Sequence, residues 1–230
     1  MKQIPLILAF LLPTFFCFGQ KEHLEPAKAF NSDDSTRYGK YYSKIKEYND
    51  EVNTLLYSEF SQKPYARYTC IPAFRAEYAF SVERINGKNY VISNRFSEYY
   101  WYALVENRKD SVKLNTKKTE INDELYLKIG ELFELLTEQT KEKERIFTTL
   151  PDGTIMGQVE IGCDGETYTF TRTDKNGEIR TGTTWSPRKN SMLARLVKIC
   201  DDLCSIEIEN NIFQTNIMKE IEILVNDLKK

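Results

Sequence analysis

The chain has 230 residues, of which 41% are hydrophobic, 13% aromatic and 29% charged, and its formal net charge is −2. This length fits one domain or two small ones, and the apolar fraction is sufficient for a hydrophobic core. A nearly neutral chain lacks the basic surface that a phosphate backbone requires, which argues against nucleic acid as a partner. Because His23 is the only histidine, imidazole-based catalysis and histidine zinc sites are also excluded in practice.

Residues 1–19 have the features of a secretory signal peptide. Lys2 supplies the positive charge, an apolar run of about 15 residues follows, and Gly19 offers a small residue for cleavage. The run is shorter than the roughly 20 residues that span a bilayer, so we expect no membrane span after processing. Cys17 follows the bulky Phe16, which departs from the lipoprotein pattern and argues against acylation. The sequence therefore predicts an exported protein, either periplasmic or extracellular.

Cysteines beyond the expected cleavage site can form disulfides in an exported protein. Four of them remain there, and the sequence leaves three pairings open. Cys200 and Cys204 fall in a predicted helix, where Cβ atoms four residues apart are separated by about 5–6 Å, farther than a disulfide bridges. We expect a disulfide between Cys70 and Cys163, and the alternative is that these thiols are free and buried.

A polar leader and an amphipathic helix begin the mature chain. Residues 20–36 lack apolar periodicity, which predicts a flexible leader in which His23 is solvated. From Tyr41 to Phe60, apolar residues recur every three to five positions. This spacing predicts a helix that ends before Pro64.

An antiparallel hairpin is predicted next. Residues 78–83 alternate apolar with smaller or polar side chains, as in a half-buried strand, and Asn86-Gly87 is a strong turn signal. A two-residue loop would pair Val82 with Val91, whereas a three-residue loop with a bulge would pair it with Ile92. The bulged register collects the apolar residues on one face, so we expect that register.

The remaining elements follow the same alternation of strands and helices. Two more strands are expected at 99–106 and 112–116, and a helix over about 122–142 begins with Asn122 or Thr119 as its N-cap. The expected apolar face of this helix consists of Leu125, Ile129, Leu132 and Leu136. Turn signals in the second half separate strands near 155–161, 166–172 and 178–185. Ser186 is the expected N-cap of the next helix, with Pro187 at its first position, and a last helix covers about 212–228.

These elements predict an α+β fold, an antiparallel meander sheet or sheets with helices packed on one face. We expect residues 37–230 to form a single domain. Two similar halves that meet near 143–150 are the alternative, because strands followed by a helix occur in both.

Three segments of the second half form an ordered series of motifs. Gly162–Phe170 contains Asp-Gly-x-x-Tyr, Thr184–Pro187 contains Trp-Ser-Pro, and Leu196–Cys200 begins with Leu-Val. This series resembles a pattern in small exported proteins of Bacteroidota, and it covers roughly residues 160–204. The resemblance implies an exported α+β protein. It carries over no catalytic residue, since that family has no assigned activity.

The aromatic run Tyr99-Tyr100-Trp101-Tyr102 is the best candidate for a binding surface. On a strand, Tyr99 and Trp101 would lie on one face and the other two rings on the opposite face. Exposed tyrosine and tryptophan are typical of recognition surfaces, and their rings also stack on sugars. The alternative is a strand covered on both sides, with all of the ring bodies buried.

A cluster of acids is the one candidate for catalysis. Glu160, Asp164 and Glu166 surround one turn, and a glycosidase needs two carboxyl groups about 5–9 Å apart. Acids beside an Asp-Gly turn are more often solvated turn residues.

The sequence therefore favours a non-catalytic exported protein that acts by protein–protein recognition in the cell envelope, as an inhibitor or an immunity protein does. A carbohydrate-binding module that uses the aromatic strand and a carboxylate-dependent hydrolase are the alternatives. We expect no cofactor and no metal.

Overall fold

The computed structural model describes residues 22–27, 39, 42–142, 165–205 and 210–230, together with the backbone of 147–149 and 155–157. Within these residues the chain forms α-helices and a seven-stranded antiparallel sheet, so the expected α+β class is confirmed. The signal peptide expected at 1–19, most of the leader and the boundary near 143–150 lie outside the described side chains.

The elements follow one another in the order β1 (Glu25–Pro26), α1 (Tyr42–Leu56), β2 (Ala66–Pro72), β3 (Tyr78–Ile85), β4 (Lys88–Phe96), α2 (Tyr100–Val105), a 3₁₀ turn (Lys109–Ser111), β5 (Leu114–Ile121), α3 (Asp123–Glu138), β6 (Phe147–Thr149), β7 (Ile155–Gly157), β8 (Glu166–Thr173), β9 (Ile179–Trp185), α4 (Met192–Leu203) and α5 (Asn211–Leu228). The sheet has the order β1-β9-β8-β2-β3-β4-β5, and β6 pairs with β7. Since β2 pairs with β8, strands from both halves of the chain belong to one sheet.

The main core lies between one face of the sheet and helices α3, α4 and α5. The aromatic rings of Tyr68, Phe80 and Phe170 project from the sheet and are completely buried. Phe133 of α3 packs against Phe80 and Phe170, with ring centroids 6.3 and 6.0 Å apart. The stripe expected for α3 is buried as predicted: Leu125, Ile129, Leu132 and Leu136.

Helices α1 and α2 pack on the opposite face of the sheet, so the expectation of helices on one face only is wrong. Their cluster includes Val52 and Leu56 of α1, Leu104 of α2, and Ile92 and Phe96 of β4. The sequence did not indicate this second helix layer, because α2 is short and its aromatic residues have high strand propensity.

The second helix layer also explains the register of the β3–β4 hairpin. Val82 pairs with Val91 across a two-residue turn, so the bulged register that we expected is wrong. Asn86 and Gly87 have φ values of 52° and 82°, which suits a two-residue hairpin turn. The expectation assumed that one face is apolar, whereas both faces of β4 are buried under helices.

Residues 22–27 form part of the fold, so the prediction of a flexible leader is wrong for them. Glu25 pairs with Thr183 of β9, and Leu24 is completely buried in the main core. The His23 ring lies 3.3 Å from the Leu24 carbonyl oxygen. A two-residue strand is too short to give a periodic pattern, which is why the sequence did not indicate it.

Helix α4 begins later than expected. Ser191 is its N-cap and accepts a hydrogen bond from the Ala194 backbone N–H at 3.0 Å, so the assignment of Ser186 as the cap is wrong. Ser186 instead pairs with Glu166, and its hydroxyl accepts from the Glu166 N–H at 2.9 Å. Ser186 has a φ of 36°, which is neither helical nor extended, so it closes the β8–β9 hairpin and does not begin a helix.

Gly130 lies in the middle of α3, directly under the ring of Tyr65. A Cβ atom at position 130 would overlap this ring, which stacks on Tyr126 with 4.0 Å between ring centroids. We therefore expect Gly130→Ala to lower the free energy of unfolding by about 1–3 kcal/mol. In a Tyr65→Ala background the same change should instead raise it by up to about 1 kcal/mol, since alanine favours a helix. Urea unfolding of the single and double variants tests this, and an effect of the same sign in both backgrounds would contradict it.

Candidate functional site

The aromatic residues that the sequence singled out belong to a helix. Residues 100–105 form α2 and Tyr99 is its N-terminal flanking residue, so the strand expected at 99–106 is wrong. The expectation that the four rings lie on two faces of a strand is therefore also wrong. The signal that sequence reasoning missed is a set of buried residues at helical spacing: Tyr100, Ala103 and Leu104.

The rings of this run differ in exposure. Tyr100 is buried and stacks on Phe96, with 5.0 Å between ring centroids. Trp101 is half-buried and meets Tyr48 edge-on at 5.5 Å. Tyr99 meets Tyr102 edge-on at 5.3 Å, and burial raises the pKa of Tyr99 to about 12. Tyr102 is 50% exposed, so α2 anchors itself through Tyr100 and presents Tyr102 to solvent.

The buried carboxylate of Glu77 fixes the N-terminus of α2. It accepts hydrogen bonds from the Tyr100 backbone N–H at 3.0 Å and from the Tyr48 hydroxyl at 2.6 Å. Burial raises the pKa of Glu77 above its ordinary value, and these hydrogen bonds oppose the increase. The side chain of Tyr99 makes no capping bond, so Glu77, the residue before β3, supplies the cap. A six-residue helix is unstable alone and depends on such contacts.

Charged groups fix α2 from its other side. The Tyr100 hydroxyl donates to Glu51 of α1 at 2.6 Å. Lys109 Nζ lies 2.5 Å from a Glu51 oxygen and 2.9 Å from a Glu47 oxygen. Hydrogen bonds to these two carboxylates raise the pKa of Lys109. The helix is therefore joined through Tyr100 to both α1 and the 3₁₀ turn.

The solvent-facing side of α2 forms what we call the tyrosine stripe, which consists of Tyr99, Tyr102 and Val105. These residues are three apart and share one helix face. Val105 is 44% exposed, close to the exposure of Tyr102. An open groove of about 590 Å³ lies beside Tyr100. We call it the acidic groove, and the residues that characterise it are Asp50, Glu51, Leu55, Asp110 and Val112.

A second polar cluster, which the sequence did not predict, lies at the end of α4. Asp201 accepts hydrogen bonds from the hydroxyls of Tyr78 at 2.6 Å and Tyr68 at 2.9 Å. Burial raises the pKa of Asp201, and the two hydroxyls oppose the increase. The Arg95 guanidinium lies 4.1 Å from the centre of the Tyr78 ring. The one sequence signal was an acid directly after the buried Cys200 on the helical stripe.

Of the acids proposed for catalysis, the structure describes only Glu166. Its carboxylate lies 2.6 Å from an Arg75 guanidinium nitrogen and also accepts a hydrogen bond from the Tyr168 hydroxyl. Glu166 is therefore committed to an ion pair. Glu160 and Asp164 lie outside the described residues, so the pairing of carboxylates stays a prediction.

The expected disulfide also stays a prediction, because Cys163 lies outside the described residues. Cys70 is a free thiol in the structure and is completely buried. Burial raises its pKa to about 12, so the thiol stays protonated at neutral pH. Cys200 is buried in α4 and Cys204 follows the helix as its C-cap, which agrees with the expectation that they do not pair.

Among the described residues, no helix is long and apolar enough to cross a membrane. No group of three or more histidine, cysteine or acidic side chains in the same residues could hold a metal ion. Comparisons of the chain with protein families, with curated proteins and with solved structures found no match.

Proposed function

We propose that this protein acts by recognising a partner protein in the cell envelope, in the manner of an inhibitor or an immunity protein, and that the tyrosine stripe is its contact surface. The observation that carries the proposal is the exposure of Tyr102 and Val105, 50% and 44%, on a helix that buried contacts hold in place. Tyrosine gives a large contact area at a low entropy cost, which is why it is enriched where proteins bind each other.

The fixed position of α2 supports this role. Glu77, Tyr48 and Glu51 hold the helix before any partner arrives. A surface that is already ordered loses less conformational entropy on binding, and this raises affinity. The exposed ring of Tyr102 is therefore presented on a rigid element, as recognition requires.

The acidic groove is a separate feature of the surface near α2, because no residue of the tyrosine stripe lines it. Two of its acids, Asp50 and Glu51, form ion pairs with lysines of the described chain, at 2.6 and 2.5 Å. Leu55 and Val112 add apolar surface to the same groove. We therefore infer the contact surface from the stripe and not from the charge of the groove.

Site-specific photo-crosslinking in the cells that produce the protein tests the proposal. A benzophenone side chain replaces Tyr102 in one protein and Leu127, an apolar residue of α3 that is 63% exposed, in the control. We expect a discrete adduct from position 102 that is missing from position 127, because only the first lies on the contact surface. Val105→Asp, added to the position 102 protein, should reduce the adduct several-fold.

The identity of the adduct then allows a quantitative measurement. The partner identified by mass spectrometry should bind the purified full chain, and Tyr102→Ala should weaken this binding at least about tenfold, as truncation of a central aromatic contact does. Leu127→Ala should leave the affinity unchanged. Equal adducts from the two positions, or affinity that is insensitive to Tyr102→Ala, would overturn the proposal.

A further inference from the structure

Threonine hydroxyls occupy a patch of the sheet beside α1. Tyr168 and Phe170 of β8 point into the main core, so Thr169 between them points to the opposite face. The register places Thr169 next to Thr69 of β2 on one side and next to Thr183 of β9 on the other. These threonines form a row across three strands, with neighbours about 4.7–4.9 Å apart.

This row is part of the lining of a cleft of about 420 Å³. Helix α1 contributes Asn49 and Asn53, which are four residues apart and share one helix face. The β1 edge contributes Glu25 and Pro26. The aromatic part of the lining comes from Tyr48 and Tyr57. The volume falls within the roughly 300–1,000 Å³ that is typical of small-molecule sites.

The polar groups of the cleft suit a neutral ligand. Among the described residues that line it, none is cationic and Glu25 alone is acidic. The carboxamides of Asn49 and Asn53 make no hydrogen bond to other residues within the described chain, so their donors and acceptors are available. The Thr69 hydroxyl lies 2.7 Å from the Tyr57 hydroxyl, which fixes the orientation of both groups.

We propose that this cleft binds a neutral carbohydrate, a mono- or disaccharide. Sugar hydroxyls both donate and accept hydrogen bonds, and the threonine hydroxyls and asparagine carboxamides of the cleft do the same. The tyrosine rings add only a little surface, because Tyr48 is buried and the Arg67 guanidinium lies over the Tyr57 ring, 4.4 Å from its centre. Hydrogen bonds therefore carry the recognition. The site does not include the tyrosine stripe, so this proposal is independent of the recognition function and can fail or hold without it.

The proposal is tested by titrating the full chain with a panel of neutral mono- and disaccharides. Calorimetry and saturation-transfer NMR measure the binding. We expect at least one of these sugars to bind. Thr169→Val should weaken its binding about five- to tenfold, because the variant removes a hydrogen-bonding group and keeps the shape. Thr169→Ser, which keeps the hydroxyl, should bind like the wild type. Thr171→Val is the matched control, since Thr171 lies on the same strand and face and does not line the cleft.

A second variant keeps the test valid if Thr169→Val disturbs the sheet. Asn53 lies on the exposed surface of α1, so Asn53→Ala should leave the melting temperature unchanged and weaken sugar binding by a similar factor. The proposal is overturned if none of the sugars binds, or if binding is the same in Thr169→Val, Asn53→Ala and the wild type. Binding of an amine such as spermidine in place of sugars would also overturn it and would assign the cleft to cations through Glu25.

Discussion

Glu77→Ala is expected to lower the free energy of unfolding by about 3 kcal/mol, and to release α2 from the sheet. The variant leaves the Tyr48 hydroxyl and the Tyr100 N–H buried without their acceptor, and each unsatisfied group costs about 1–3 kcal/mol. Urea unfolding measures the loss, and hydrogen exchange of the α2 amides measures the release. An unfolding free energy within about 0.5 kcal/mol of wild type would contradict the role of Glu77 as the cap of α2.

Glu77→Gln is the matched control, because it keeps an oxygen acceptor and cannot ionise. Burial raises the folded-state pKa of Glu77 above its ordinary value of 4.5, so the native state binds more protons than the unfolded state between the two values. The stability of the wild type must therefore fall as pH rises above 4.5 through the raised pKa. We expect the stability of Glu77→Gln, taken relative to the wild type at the same pH, to increase over this window. A decrease would contradict the direction of the pKa shift.

Tyr68→Ala is expected to cost about 3–5 kcal/mol of unfolding free energy, the range for the loss of a large aromatic side chain from a core. The ring of Tyr68 is completely buried. It lies within about 6 Å of the rings of four neighbours, by centroid distances of 5.3–6.2 Å. A cavity at this position removes packing from three adjacent strands at once. Urea unfolding is again the measurement, and a loss below about 1 kcal/mol would mean that the core closes around the cavity.

Tyr68→Phe separates the hydroxyl from the ring. The variant removes one of the two hydroxyl donors to Asp201, and a hydrogen bond to a charged group contributes about 1.5–3 kcal/mol. This hydrogen bond lowers the pKa of Asp201, so its removal lets burial raise that pKa further. We expect the stability lost in Tyr68→Phe to grow as pH rises through the raised folded-state pKa of Asp201, because the hydroxyl stabilises the ionised form. A loss that is independent of pH would contradict this.

Long periodic segments were predictable from the sequence because their burial is one-sided. Helix α3 has the buried stripe and the Asn122 cap that its spacing predicts. The strands β8 and β9 lie within a residue of the expected ranges, 166–172 and 178–185. In these elements, local propensity, periodicity and turn residues all favour the same structure.

Other elements depend on tertiary contacts that no local pattern contains. Helix α2 has aromatic residues that favour strands, and it is helical because Glu77, distant in sequence, caps it. Strand β1 is held by Leu24 in the core, although its neighbours in the chain are polar. The aromatic run is visible in the sequence, whereas its helical geometry and the burial of Tyr100 are not. The Asp201 cluster and the threonine-lined cleft require the sheet order, which the sequence does not reveal.

The central claim is that the tyrosine stripe is a contact surface, and the crosslinking yield at position 102 relative to position 127 tests it most directly. In the wild type, Tyr102 is 50% exposed and Leu127 is 63% exposed. Exposure alone therefore predicts similar crosslinking yields at the two positions. We predict one discrete protein adduct from position 102, a several-fold lower yield of it in the Val105→Asp protein, and no adduct from position 127. No adduct from position 102, or the same adducts from both positions, would contradict the claim.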